Sequence, residues 1–227
     1  MLARLRHPNI ILFLGASIQT KSSGRSDDVS GESGGGFTGM LLVSELMEAG
    51  TLFDLLYRRE ERITWGQYRS LLEQIALGLN YLHLQTPNPV IHRDIKPTNC
   101  LLDRHGGLKL ADFGLSCFRP ADADVLTAQC GTPNYMAPEL LVHAPYTEKV
   151  DVYAFGMVAH EILVRSPPFL DVPLMRLKVL VGQQAHRPRF PDGASPGVRK
   201  LIEVTWAQEA ARRPTAAQTL AFVQTRL

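Results

Sequence analysis

Two short polar clusters lie thirteen residues apart in an otherwise apolar stretch: His92-Arg93-Asp94-Ile95-Lys96-Pro97-Thr98-Asn99, then Asp112-Phe113-Gly114. Between them, Cys100–Leu102 and Leu108–Leu110 read as short strands joined at the Gly106-Gly107 turn. A further apolar pair, Val90–Ile91, leads into the first cluster. Any fold for this chain must therefore present Asp94, Lys96, Asn99 and Asp112 on loops flanking that strand pair.

Helical periodicity surrounds this centre. Leu71, Leu72, Ile75, Leu79 and Leu82 share one face of a helix expected over 65–84. Val152, Phe155, Val158 and Ile162 mark a second helix, Lys149–Val164, ended by Pro167-Pro168. Smaller helices are expected at 172–182, 196–206 and 215–225. Upstream, 10–14 and 40–44 have strand length, while 19–39 holds six glycines and five serines. Such a segment buries too little apolar surface to offset its ordering entropy and reads as a mobile insertion, with a regulatory role as the alternative to none. A few strands followed by a run of helices predicts an α+β fold.

The chain has 227 residues, 45% hydrophobic and 20% charged, enough for a substantial core. A net charge of +2 does not point to nucleic acid or an anionic membrane as partner. Cys100, Cys117 and Cys130 form no CxxC pair, which fits reduced thiols in the cytoplasm or nucleus and lacks the spacing of a zinc site. The apolar run 152–164 contains His160 and Glu161 and is shorter than the ~20 residues of a bilayer span. The N-terminus has no signal-peptide core.

The polar clusters suit phosphoryl transfer, which needs positioning and charge neutralisation more than covalent chemistry. Asp94 is the candidate base for a substrate hydroxyl, and Lys96 can set its ammonium against the transferring phosphate. Asn99 and Asp112 offer hard oxygen ligands suited to Mg²⁺. Gly131-Thr132-Pro133-Asn134-Tyr135-Met136-Ala137-Pro138-Glu139, Asp151-Val152-Tyr153-Ala154-Phe155-Gly156 and Arg212-Arg213-Pro214-Thr215 follow in order. With these motifs the whole sequence resembles a eukaryotic protein kinase. Lys96 with Thr132 is similar to the serine/threonine class, and residues 5–16 and 146–156 resemble the tyrosine-kinase-like group of Raf, mixed-lineage and plant Raf-like kinases.

The resemblance implies a two-lobe fold: 1–47 as a partial β lobe with the end of a helix, two strands, the hinge and the 19–39 insertion, and 48–227 as the mainly helical lobe. It implies ATP and Mg²⁺ as cofactors, a protein Ser/Thr hydroxyl as acceptor and an upstream activating kinase as partner. Ser44 would be a small gatekeeper before the hinge, with Glu45 and Met47 offering backbone hydrogen bonds to adenine and Leu101 beneath it. Glu139 and Arg213 would form a buried ion pair anchoring the activation segment, and Asp151 would hold the catalytic-loop backbone. Arg93 is the residue type that meets an activation-loop phosphate, with Thr127 or Ser116 as the phosphosite and Thr132 positioning Asp94 and Lys96. A hydrophobic column through Leu2, Phe13, His92 and Phe113 completes the expectation.

A kinase also needs a Gly-rich phosphate loop, a strand lysine and a helix glutamate paired with it. No Val-Ala-Ile-Lys pattern occurs in this sequence, and the glycines of 31–39 lack the GxGxxGxV spacing. The expected reading is a kinase truncated at its N-terminus; the alternative is a non-catalytic pseudokinase or protein-binding scaffold.

Overall fold

The computed structural model describes residues 2–20, 37–59, 61–119, 126, 127 and 130–227, so the central part of the 19–39 insertion lies outside the described residues. Three two-stranded antiparallel sheets stand in front of a helical body. Strands β1 (Phe13–Thr20) and β2 (Phe37–Ser44) form the first. β3 (Val90–Ile91) pairs with β6 (Cys117–Phe118), and β4 (Cys100–Leu102) with β5 (Leu108–Leu110). The helices are α1 (Leu52–Tyr57), α2 (Trp65–His83), α3 (Pro138–Leu141), α4 (Lys149–Val164), α5 (Leu174–Leu177), α6 (Pro196–Thr205) and α7 (Ala216–Arg226).

Helix α4 is the centre of the molecule. Every residue from Val150 to Ile162 is buried, Asp151, His160 and Glu161 included, so the helix is packed all round. α2 starts at a capping box of Thr64 with Gln67 and buries Leu71, Leu72, Ile75, Leu79 and Leu82 as the periodicity predicts. α6 approaches α4 closely at Gly156, where an added Cβ would stand 2.5 Å from Thr205 Oγ1.

The first strand starts later than the expected 10–14. Ile10 and Ile11 are buried against β5, where the Ile11 N–H donates to the Leu110 carbonyl at 2.9 Å, and β1 begins only at Phe13. β1 and β2 also extend into the expected insertion, pairing Gln19 with Gly39 and Thr20 with Phe37, because backbone pairing requires no apolar side chain. The helix expected at 172–182 appears as α5 continuing into a π-helical turn, Lys178–Gln183. α1, α3 and β6, all six residues or fewer, are too short to announce themselves by periodicity.

Candidate active site

The loop between β3 and β4 carries the first polar cluster, and its backbone is held from below. Arg93 has φ 69° and Asp112 φ 60°, both in the left-handed region where a non-glycine residue is disfavoured by ~1–3 kcal/mol. Fully buried Asp151, in the first turn of α4, accepts the N–H of His92 at 2.9 Å and of Arg93 at 2.8 Å. His83 Nε2 lies 2.9 Å from the same carboxylate. Burial pushes the Asp151 carboxyl up, but the His83 hydrogen bond and charge, with His92 and the Arg93 N–H, hold it below the ordinary range. Gly131 completes the loop's bed: at φ 105°, a Cβ there would meet the Arg93 carbonyl at 2.5 Å.

Upon this frame sits Asp94. Its Oδ1 accepts Thr132 N–H at 3.0 Å and Thr132 Oγ1–H at 2.7 Å. Its Oδ2 accepts Asn99 Nδ2 at 3.0 Å and lies 2.7 Å from Lys96 Nζ. Lys96 also donates to Thr132 Oγ1 at 2.7 Å. Burial raises the Asp94 carboxyl, yet the bonds from Lys96, Thr132 and Asn99 and the Lys96 charge outweigh it, leaving the group below its usual value. An ionised carboxylate beside an ammonium can accept an alcohol proton while the ammonium faces an anion.

Asn99 donates a second bond to the Asp94 carbonyl at 2.8 Å, so its amide nitrogen is fully engaged and its oxygen remains for a ligand. The Ala111 N–H donates to the Asn99 carbonyl at 2.9 Å, which brings Asp112 beside Asn99. Asp112 is exposed and accepts the Gly114 N–H at 3.3 Å. His92, neutral through burial, donates from Nε2 to the Ala111 carbonyl at 3.0 Å and packs on Phe113 at 4.8 Å. Of the expected hydrophobic column, that contact is present and Phe13 is half-buried, whereas the Leu2 side chain lies outside the described residues.

At the expected hinge, the Glu45 N–H donates to the Leu12 carbonyl at 3.0 Å, and its carboxylate meets Lys109 at 2.8 Å. Met47 has no backbone hydrogen bond among the described residues, and Leu101 is half-buried in β4. Glu139 and Arg213 form a bidentate pair at 2.6 and 2.8 Å, with Arg213 buried and also donating to the carbonyls of Ala207, Lys149 and Gln208. Breaking such a pair leaves one buried charge alone and costs about 3–5 kcal/mol. Arg93 Nη1 donates to the Tyr146 hydroxyl at 2.9 Å. The Ser116 hydroxyl is engaged with the His92 carbonyl at 3.3 Å, while Thr127 is exposed beside Leu126, which bridges to Tyr146.

One cluster was not anticipated. Glu161, fully buried in α4, accepts the hydroxyls of Tyr57 and Tyr135, each at 2.7 Å. One turn on, Arg165 caps α1 by donating to the carbonyls of Leu55, Leu56, Arg59 and Glu61. The only sequence signal was an acid inside the apolar run of α4.

The chain belongs to the protein kinase domain family, which matches residues 1–223. Among its relatives, probable serine/threonine-protein kinase drkC of Dictyostelium discoideum is 36% identical over 95% of the chain. Serine/threonine-protein kinases CTR1 and STY17 of Arabidopsis thaliana are 33% and 30% identical over 96% and 97% of it. The chain spans 27%, 24% and 35% of the lengths of these three relatives.

Proposed function

We propose that residues 1–227 carry the acceptor-activating and metal-binding part of a protein serine/threonine kinase. Asp94 takes the proton from a Ser or Thr hydroxyl of a protein substrate, and Lys96 faces the transferring phosphate. Thr132, bound to both, fixes their relative placement. The observation that carries this reading is the closed set of bonds joining Asp94, Lys96, Thr132 and Asn99. It favours catalysis over the scaffold alternative, which has no use for a desolvated carboxylate kept ionised.

ATP and Mg²⁺ fit the residues present. Asn99 has its amide oxygen available and Asp112 is exposed with one weak partner. Among the described residues no group of three or more His, Cys, Asp or Glu forms a cage, which suits a cation that keeps phosphate and water ligands. Bound there, Mg²⁺ would neutralise phosphate charge. The Glu45 carbonyl and the Met47 backbone would meet adenine above Leu101, in a partial β lobe of 1–47 joined to a helical lobe of 48–227. Thr127 is the regulatory phosphosite that fits best, since it is exposed next to Leu126, whose backbone bridge meets Tyr146, the hydroxyl partner of Arg93, whereas Ser116 already has a partner. An upstream kinase would supply that phosphate. No helix among the described residues is long and apolar enough to cross a membrane, and the free cysteines Cys100, Cys117 and Cys130 suit a reducing cytoplasm.

The test is transfer of labelled γ-phosphate from ATP with Mg²⁺ to a Ser/Thr peptide library. The enzyme would be the longest natural protein containing these residues. Asp94→Asn is expected to lower kcat by about 10²–10⁴-fold. An unchanged rate would remove Asp94 from the chemistry. Residues 1–227 alone, with no Val-Ala-Ile-Lys strand among them, are expected to bind ATP feebly.

A further inference from the structure

Glu161 is a buried ionisable group that the proposed chemistry leaves unused. It lies on the central helix α4, fully buried, and none of the ion pairs among the described residues includes it. Its two oxygens are divided between two elements. Oε1 accepts the hydroxyl of Tyr57 from α1, which continues from the hinge, and Oε2 accepts that of Tyr135 from the loop that ends the activation segment. Three residues before Tyr135 stands Thr132, whose N–H and hydroxyl both hold Asp94. The turn between them is closed by the Tyr135 N–H on the Thr132 carbonyl at 3.0 Å. A continuous chain of bonds therefore runs from Glu161 through Tyr135 and Thr132 to Asp94 and Lys96.

The titratable and charged groups that face Glu161 are few. Tyr57 and Tyr135 touch it, the buried thiol of Cys100 in β4 lies within its field, and Arg165 at the end of α4 acts on Tyr57. Burial pushes the carboxyl up, and the two tyrosine bonds offset only part of that, leaving it at about 7. Both tyrosine hydroxyls are pushed up as well and remain donors. Ionised, the carboxylate accepts from both. Protonated, it has one O–H that must donate, so one tyrosine hydroxyl has to turn from donor to acceptor.

We propose that Glu161 is a proton-linked positioning residue. In its ionised form it locks α1 and the 132–135 loop to α4 and so presets Thr132 against Asp94; protonation releases one of the two locks. This rests on the kinase reading for its consequence, but not for its test.

The experiment follows the carboxyl and the loop without any transfer assay. Carbon NMR of the Glu161 side chain, in the 227-residue chain kept monomeric by Leu41→Lys and Leu42→Lys on the exposed strand β2, is expected to titrate near neutrality, and amide exchange at Tyr135 and Met136, corrected for its intrinsic pH dependence, to change with the same midpoint. In Glu161→Gln the exchange should be pH-independent, and in Tyr135→Phe the loop should exchange faster while α1 stays protected. Tyr57→Phe, at a half-buried site, should do the reverse and serves if Glu161→Gln does not fold. A Glu161 midpoint in the ordinary carboxylate range overturns the proposal. So does loop exchange whose pH dependence survives in Glu161→Gln or, should that variant not fold, in Tyr135→Phe, which has no hydroxyl on Glu161 to release. Failure of Asp94→Asn to slow transfer would overturn the kinase reading and leave these outcomes intact.

Discussion

Asp94 and Glu161 are both buried carboxylates, and their neighbours send them in opposite directions. Asp94 gains Lys96, two bonds from Thr132 and one from Asn99, and falls below its ordinary value. Glu161 has only two neutral hydroxyls against a larger burial effect and rises to about 7. The consequences for stability have opposite signs. Asp94, like Asp151, contributes stability that is present above its unfolded value of 3.8 and is lost as pH falls through its folded value. Glu161 keeps a proton in the folded state that the unfolded chain has released by 4.5, so stability falls as pH rises from there to about 7 and then levels. The loss is on the order of 3 kcal/mol if Glu161 titrates alone. Urea unfolding at about pH 5 and about pH 8 should show that fall in the native chain and its removal in Glu161→Gln. An equal fall in both would assign it to another group. The proposed catalytic residues were legible in sequence because the chemistry assigned to them fixes residue type and spacing within 92–114. The Glu161 cluster was not, because its partners lie 104 and 26 residues away in the chain. Only the presence of an acid in an apolar helix hinted at it.

Elements were legible in proportion to the number of turns over which a pattern repeats. α2 and α4 give several turns of periodicity and agree with expectation to within a residue. α1 has six residues and stands because of Thr51 and Asp54 at one end and Arg165 at the other, a device that sequence spacing does not reveal. The β1 and β2 boundaries were missed for a different reason: Gln19 and Thr20 at one end of 19–39, and Phe37 and Gly39 at the other, continue a ladder made by backbone pairing. The helix contacts that hold the site rest on small residues. Gly156 allows α6 to reach α4 at Thr205, and Thr205 itself bonds back to the Leu201 and Ile202 carbonyls, so it cannot easily swing away. Gly156→Ala should therefore destabilise the chain by about 1–3 kcal/mol through overpacking, despite the higher helix propensity of alanine. Adding Thr205→Ser, which leaves the hydroxyl in place, should recover little, whereas adding Thr205→Ala, which removes the clashing oxygen, should recover most of the loss. Chemical denaturation of the four proteins measures it. Equal recovery by both would show that the hydroxyl is not the obstacle.

At the scale of the whole molecule, the helical body is self-contained, while the front hairpin is tied on at one end. The Glu45 N–H on Leu12 closes the base of the hairpin, and the Glu45 pair with Lys109 and the Ile11 bond to Leu110 fasten that base to β5. Beyond that base, Leu14 is 60% exposed, and the consecutive residues Met40, Leu41, Leu42 and Val43 are 48–60% exposed. Consecutive residues of a strand point to opposite faces, so β2 shows apolar surface on both sides, the pattern of a strand built for a sheet interior. A lone two-stranded sheet of this kind is marginal in water, and its open edges template further pairing. The 227-residue chain should therefore self-associate at micromolar concentrations, and sedimentation velocity over a dilution series should show it. Leu41→Lys with Leu42→Lys places one charge on each face without touching the tethered base, and should return the chain to a monomer while leaving its thermal unfolding nearly unchanged. If the double variant associates as strongly as the native chain, the contact lies on the helical body, where exposed Leu170 and Met175 are the next candidates.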